Sequence, residues 1–391
     1  MAGVNSMEFN QAASLLNAVM QQATGVTQPV ATDLTSFVSL AQKTLQMGTD
    51  PVLNAISQVI DRTIFSIRGY NRKFRGLEAD SSTWGSITRK LSISDTAFDN
   101  NAAFALTDGG TVDQWTVKKA NILQTNFYGA NTFQLQAPSI LRSQLNNAFR
   151  GPEEFMQFMT MQTQNILDIR EQAIENCSRQ LLCNYIAACQ AEDANIIFLV
   201  TEYNDATDSN VTAETVYSEE NFPKFARWFA GRLRTLSKLM TERSEEFQFN
   251  ITGNVIMRHT PVADQKIYLY GPFMDQVNSR VYTDAFHDEY LKIADTEQLS
   301  YWQGIKDPKT INCTPTYTNS TGAVVTAANA ELVDNVIGVM FDRNTMGYTI
   351  YDEHTNMTPI NAKGDYSNIF HHFTQRWWTD FTEKGIVLMM A

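Results

Sequence analysis

Only four cysteines stand in 391 residues, Cys177, Cys183, Cys189 and Cys313, and none belongs to a close pair such as C-x-x-C. Structural zinc sites draw on such pairs, so no metal knot is supported, and a chain this long buries enough core to do without disulfide staples. Three of the four recur every six residues inside one helical stretch. Six steps turn a helix by about 600°, so these thiols spiral round it rather than converge, and buried, reduced thiols are expected. Long apolar runs are missing too, since none approaches the roughly 18 residues that a membrane span needs. The opening MAGVNSMEFN has neither a basic stretch nor an apolar one. No signal peptide is read there, and synthesis in a cytoplasm is expected. Equally absent are G-x-G-x-x-G, G-x-x-x-x-G-K-[ST] and G-x-S-x-G, which leaves phosphate cradles and nucleophile elbows without support.

Histidine is scarce, with five in the chain. His287, His354, His371 and His372 come nearest to a metal cluster, but 371 and 372 are neighbours on a predicted strand and so point to opposite faces. Acidic pairs such as Glu153/Glu154, Glu219/Glu220 and Glu245/Glu246 are consecutive rather than facing. That suits helix starts and solvated surface better than paired acid and base catalysis. No catalytic, cofactor-binding or metal residue is assigned, and no cofactor is expected.

What is present is an uneven charge. Residues 1–150 hold 12 Lys and Arg against 10 Asp and Glu, whereas residues 151–391 hold 18 against 32, giving the chain its net charge of −12. An acidic main body argues against a general nucleic-acid grip, which calls for a basic surplus. Against that background Arg68, Arg72, Lys73, Arg75, Arg89 and Lys90 form a local basic run. It reads either as solvated surface or as a strap across the acidic face of a neighbouring subunit, where complementary fields fix register. On the second reading, reversing Arg72, Lys73 and Arg75 to Glu leaves the fold intact and impairs assembly, and salt slows wild-type assembly.

Apolar pairs at Leu15/Leu16 and Val19/Met20, then Leu34, Phe37, Val38 and Leu45, suggest an arm of short helices whose stripe is buried on another body. Asp50-Pro51 starts a further helix. From residue 63 to about 135, β-branched residues and polar turns take over. Alternation in 87–94 and 132–136 reads as a long two-stranded excursion, marginal by itself. Gly151-Pro152-Glu153-Glu154 then opens a helix that runs unbroken to about Gln190, its strict heptads too few for a coiled coil. Beyond it come a strand at Ile196–Val200, a polar loop over 203–217 and a helix from Pro223 carrying Phe225, Phe229, Leu233, Leu236 and Met240. Strands follow at Asn254–Met257 and Ile267–Tyr270, a helix near Phe273–Leu291, and a Thr- and Asn-rich loop or edge hairpin over 305–330. Four strands close the chain, at Val336–Met340, Tyr348–Tyr351, Phe370–Trp378 and Gly385–Met389. The class is α+β, without internal repeats.

This order resembles the major capsid proteins of tailed phages with the Hong Kong 97 fold, nearest the short-tailed phi-29-like group. Asn71-Arg-Lys-Phe-Arg-Gly76 is similar to the outgoing strand of that family's extended loop, and Phe127-Tyr-Gly through Gln134-Leu-Gln136 to its return. His259-Thr-Pro-Val-Ala-Asp264 before Ile267-Tyr-Leu-Tyr270 resembles the turn and central strand of the axial domain, and Tyr348-Thr-Ile-Tyr-Asp352 with Phe370–Trp378 the closing hairpin. The resemblance implies an N-terminal arm (1–62), an extended β loop (63–135), a peripheral domain with a spine helix (136–195), an axial domain (196–335) and closing strands (336–391). It implies a non-enzymatic subunit that assembles with itself, as pentamers and hexamers, into an icosahedral head. Scaffold and portal proteins would be its partners, and double-stranded DNA would lie inside without specific binding. No membrane partner is expected. Two rivals are an encapsulin-type compartment shell, which would need a cargo-peptide groove, and a metal or acid/base hydrolase built on His354, His371 and His372.

Overall fold

The structure, a computed structural model, describes residues 14, 16–21, 70–79, 87–93, 115, 117, 122–128, 131–136, 139–141, 152–248, 256–281, 295–318 and 324–391. Four helices are complete among them: α1 (Pro152–Ala191), α2 (Leu199–Thr207), α3 (Phe222–Thr241) and α4 (Gly271–Val281). The strands are β1 (Ile87–Ile93), β2 (Ile122–Tyr128), β3 (Asn131–Gln136), β4 (Ile140–Leu141), β5 (Ile196–Phe198), β6 (Gln265–Tyr270), β7 (Asp295–Leu299) and β8 (Ile311–Cys313). They continue with β9 (Thr316–Thr318), β10 (Val324–Thr326), β11 (Glu331–Val333), β12 (Val336–Asp342), β13 (Met346–Met357), β14 (Tyr366–Ser367), β15 (Ile369–Thr379) and β16 (Gly385–Met389).

Helix α1 is the 40-residue rod that the Gly-Pro-Glu-Glu start predicts, about 60 Å long at 1.5 Å per residue. Its inner face buries Ile166, Ile174, Leu182, Tyr185 and Ile186, while Leu167 and Ile169 turn outward. Against its end lies a five-stranded sheet in the order β5-β16-β12-β6-β7. Every residue of β12 and β16 is buried, as two covered faces demand. Rod and sheet meet at Gly385: a methyl group there would lie 2.1 Å from the Tyr185 hydroxyl, and Tyr185 stacks on Phe381 at 5.3 Å. Helix α3 presents Phe222 and Phe229 to Phe273 of α4, with ring centroids 5.9 and 5.3 Å apart. A second sheet, in the order β13-β15-β3, joins the long closing hairpin to residues 131–136.

Several expectations are corrected. The strand at 196–200 stops at Phe198, because Leu199, Val200 and Tyr203 are spaced to bury one helical face, and α2 follows in place of the first third of the polar loop. Its end is set by Asp208 in the left-handed region at φ 52°. Ile256 and Met257 are not in a strand; Arg258 makes an isolated bridge to Ser244 instead. Residues 87–93 pair with 122–128, not with 131–136, which dock on the closing hairpin. The 305–330 region does form paired short strands, β8 with β11 and β9 with β10. In the arm, Leu16, Val19 and Met20 are already buried in the single chain rather than left for a neighbour. Leu34, Phe37, Val38, Leu45, the helix from Asp50, and residues 282–291 lie outside the described residues.

Candidate functional site

The basic run meets the body at two places. Residues 70–79 lie along α1, and Arg72 is the centre of the contact. Its side chain, only 7% exposed, reaches both oxygens of Glu171 at 2.5 Å, donates from Nε to the Tyr348 hydroxyl at 2.8 Å and pairs with Glu78. Burial alone would lower the affinity of Arg72 for its proton; the bonds to Glu171 and Tyr348 outweigh it and hold the guanidinium firmly charged. One turn along, Glu175 accepts from the Tyr70 hydroxyl at 2.5 Å, from the Lys73 backbone N–H at 3.1 Å and from Arg179 at 2.8 Å. Burial pushes the Glu175 carboxyl up, but these donors together bring it below its ordinary value. Tyr70 answers with a phenol raised to about 12, chiefly by that hydrogen bond.

Phe74 completes the anchor. It is fully buried with φ 65°, its ring 5.1 Å from Tyr268 and under the Arg179 guanidinium at 5.3 Å. A bulky residue in the left-handed region is strained, and here packing against Tyr268 and Arg179 holds it. Ala79 then donates to the Tyr348 carbonyl at 2.9 Å, so 70–79 ties α1 to β13. Among the described residues, Arg75 is the outward cation of this stretch, 60% exposed and 4.0 Å from Glu171.

The second place is the β1–β2 ribbon. The Lys90 ammonium pairs with Asp380 and Glu383, and Arg258 lies 3.8 Å from Glu383 while donating to the Ser92 hydroxyl at 2.7 Å. Asp380 is fixed independently of Lys90, since its Oδ1 accepts from the Thr382 N–H at 2.9 Å and its hydroxyl at 2.6 Å. Of the six cations, then, Arg72 and Lys90 spend their charge within the chain. Arg68 lies outside the described residues, as does the side chain of Arg89. Reversing Arg72 therefore strikes a buried network, contrary to the expectation of an untouched fold. The receiving acids were not singled out in the sequence, although Glu171, Glu175 and Arg179 at i, i+4 and i+8 run among the buried residues of α1, and charges on a covered face require partners.

Among the described residues the histidines do not converge on an ion. His354 stacks on His372 at 5.0 Å across β13 and β15, while His371 shares a hydrogen bond with the Thr355 hydroxyl at 3.0 Å on the opposite face. His287 lies outside the described residues. Among the described residues no group of three or more His, Cys, Asp or Glu side chains could hold a metal ion. All four cysteines are free; burial raises Cys183 and Cys189 to about 12. No helix among the described residues is long and apolar enough to cross a membrane.

Known structures share this architecture. The capsid structure of Staphylococcus phage Andhra matches with a TM-score of 0.53 at 12% identity, over 84% of this chain and 87% of the other. A chain in the structure of the head fiber and inner core protein gp22 of native bacteriophage P68 matches with a TM-score of 0.54 at 11% identity, again over 84% and 87%. At such identities the likeness concerns the fold, and it is the Hong Kong 97-type α+β fold. No curated protein matches the sequence. The family model for Phi29-like phage major capsid proteins matches residues 16–389, nearly the whole chain, and the chain belongs to that family, a structural capsid subunit of a tailed phage virion.

Proposed function

We propose that this subunit assembles, as pentamers and hexamers, into a closed icosahedral head that encloses double-stranded DNA, with scaffold and portal proteins guiding assembly in the host cytoplasm. The observation that carries the reading is the family match over residues 16–389. The charge balance supports it: with a net charge of −12, the shell can contain DNA without gripping it, since tight non-specific binding needs a basic surplus. Weak contacts repeated over a closed symmetric surface sum to a stable container.

The division into arm (1–62), extended loop (63–135), peripheral domain (136–195), axial domain (196–335) and closing strands (336–391) is part of this proposal. So is a strap between subunits. With Arg72 and Lys90 paired within the chain, its ionic part falls to Lys73 and the exposed Arg75, together with Arg68 and Arg89. Producing the chain together with its phage's scaffold and imaging the product by negative stain tests the proposal. Closed particles of uniform diameter are expected. Dispersed subunits, or open sheets and tubes only, would overturn it.

A further inference from the structure

We propose that the exposed face of α3, along Lys224, Arg227 and Lys238, binds the phosphate backbone of double-stranded DNA. The proposal rests on the container reading for the identity of its ligand, and adds where an acidic subunit touches that polymer. Helix α3 holds five Lys and Arg and no Asp or Glu, although residues 151–391 as a whole hold 18 cations against 32 acids. At 3.6 residues per turn, Lys224, Arg227, Arg234 and Lys238 fall within an arc of about 80° and span about 21 Å of helix. The opposite arc carries Phe222, Phe225, Phe229, Leu233, Leu236 and Met240 into the core, which turns the cations to the surface. Lys224, Arg227 and Lys238 are exposed and Arg234 is half-buried. The fifth cation, Arg232, lies outside the arc and is spent on Glu202 through two hydrogen bonds of 2.7 Å. Lys224 lies 3.5 Å from Glu220, but with the two side chains 62 and 84% exposed that pair holds its lysine only weakly.

A second observation falls on the same arc. Gly231 sits in its middle, exposed, between Arg227 and Arg234. Glycine is a poor helix former, and no packing demands it here, since a methyl group at Gly231 would meet nothing within 4 Å. The missing side chain leaves the helix backbone bare where a ligand can approach it closely. The composition of the arc selects the ligand. Protein interfaces are built round an apolar centre depleted of charge. This arc is the reverse, for between its cations it holds Gly231 and no apolar side chain. A straight row of cations suits regularly spaced phosphates, and the duplex enclosed by the container supplies them. At physiological salt the Debye length is about 8 Å, so acids of the body beyond that distance from the row are screened. Three exposed cations give a light, salt-sensitive contact, in keeping with a cargo that is held without being gripped.

Fluorescence anisotropy of a labelled DNA duplex with the free, full-length subunit tests this. Each neutralised phosphate contributes about −0.9 to the slope of log affinity against log salt, so three contacts predict a fall of about fortyfold between about 50 and 200 mM salt. In the variant Arg227→Gln/Lys238→Gln the fall should shrink to about fourfold, with unchanged circular dichroism. Gly231→Gln should raise the melting temperature through helix propensity and yet weaken DNA binding, a combination that a merely structural glycine would not give. No binding at the lower salt, wild-type salt dependence in the double variant, or tighter binding to polyglutamate of equal charge, the stand-in for an acidic protein partner, would overturn the proposal. Shell formation is scored separately. Closed shells from a subunit that fails to bind DNA leave the container reading standing, and binding through the stripe without closed shells removes that reading alone.

Discussion

At the residue scale, the energetics turn on where a charge is spent. Arg72 and Arg75 are three positions apart in one basic run, yet one is 7% exposed among three partners and the other 60% exposed. Arg72→Glu would strand Glu171 against a new carboxylate and should cost about 3–5 kcal/mol, the range for breaking a buried pair. Arg75→Glu should change stability by no more than about 0.5 kcal/mol, as surface substitutions do. Urea unfolding of the two single variants checks the contrast, and equal effects would contradict it. The same network sets the pH response. Glu175 titrates below its ordinary 4.5, so the stability it contributes is complete above that pH and is lost as pH falls through its lower folded value. Tyr70 and Tyr348, the latter pushed up chiefly by burial, titrate at about 12 rather than 10.0. Their contribution is complete below pH 10.0 and is lost as pH rises towards about 12. Urea midpoints should therefore fall at both ends, with the tyrosinate absorbance appearing late. A midpoint flat through both windows would show the anchor to be idle. None of this pairing is legible in the sequence, because Arg72 finds Glu171 and Tyr348 at separations of 99 and 276 residues. What the sequence does show is that cations are concentrated there, not whom they meet.

At the element scale, legibility follows from how local the cause is. Helix α1 carries its own start signal in Gly151-Pro152-Glu153-Glu154 and no Gly or Pro before its end, so both ends could be read to within a residue or two. The closing strands are similarly plain, since continuous apolar runs in β12 and β16 match full burial. Pairing is another matter. That β1 takes β2 as its partner while β3 joins β15 depends on register between distant segments, which alternation alone cannot specify. Ile169 gives a clean test of the rod because its side chain is partly outward. Ile169→Pro removes a backbone donor and crowds the preceding turn, costing about 3 kcal/mol or more, whereas Ile169→Ala should cost little. Circular dichroism and shell yield read the difference. A proline variant that assembles normally would contradict a continuous helix. At the junction of rod and sheet, Gly385→Ala should destabilise by about 1–3 kcal/mol, because the added methyl meets the buried Tyr185 hydroxyl. A melting temperature equal to wild type would mean that Tyr185 can move aside.

At the scale of the whole molecule, the described parts are held together by one core and by ion pairs within the chain. The rod, the five-stranded sheet and the closing hairpin share one buried core, to which residues 70–79 are stapled by charge and by Phe74. The ribbon beyond that staple touches its own body through Lys90 and Ser92 and leaves Leu91, Ile93 and Ile122 exposed. The most direct test of the account is an electron cryomicroscopy reconstruction of particles made by the chain with its scaffold. The account predicts closed icosahedral shells in which every subunit shows a 40-residue helix with residues 70–79 laid along it. Absence of closed shells, or shell subunits lacking that helix and its staple, would contradict it.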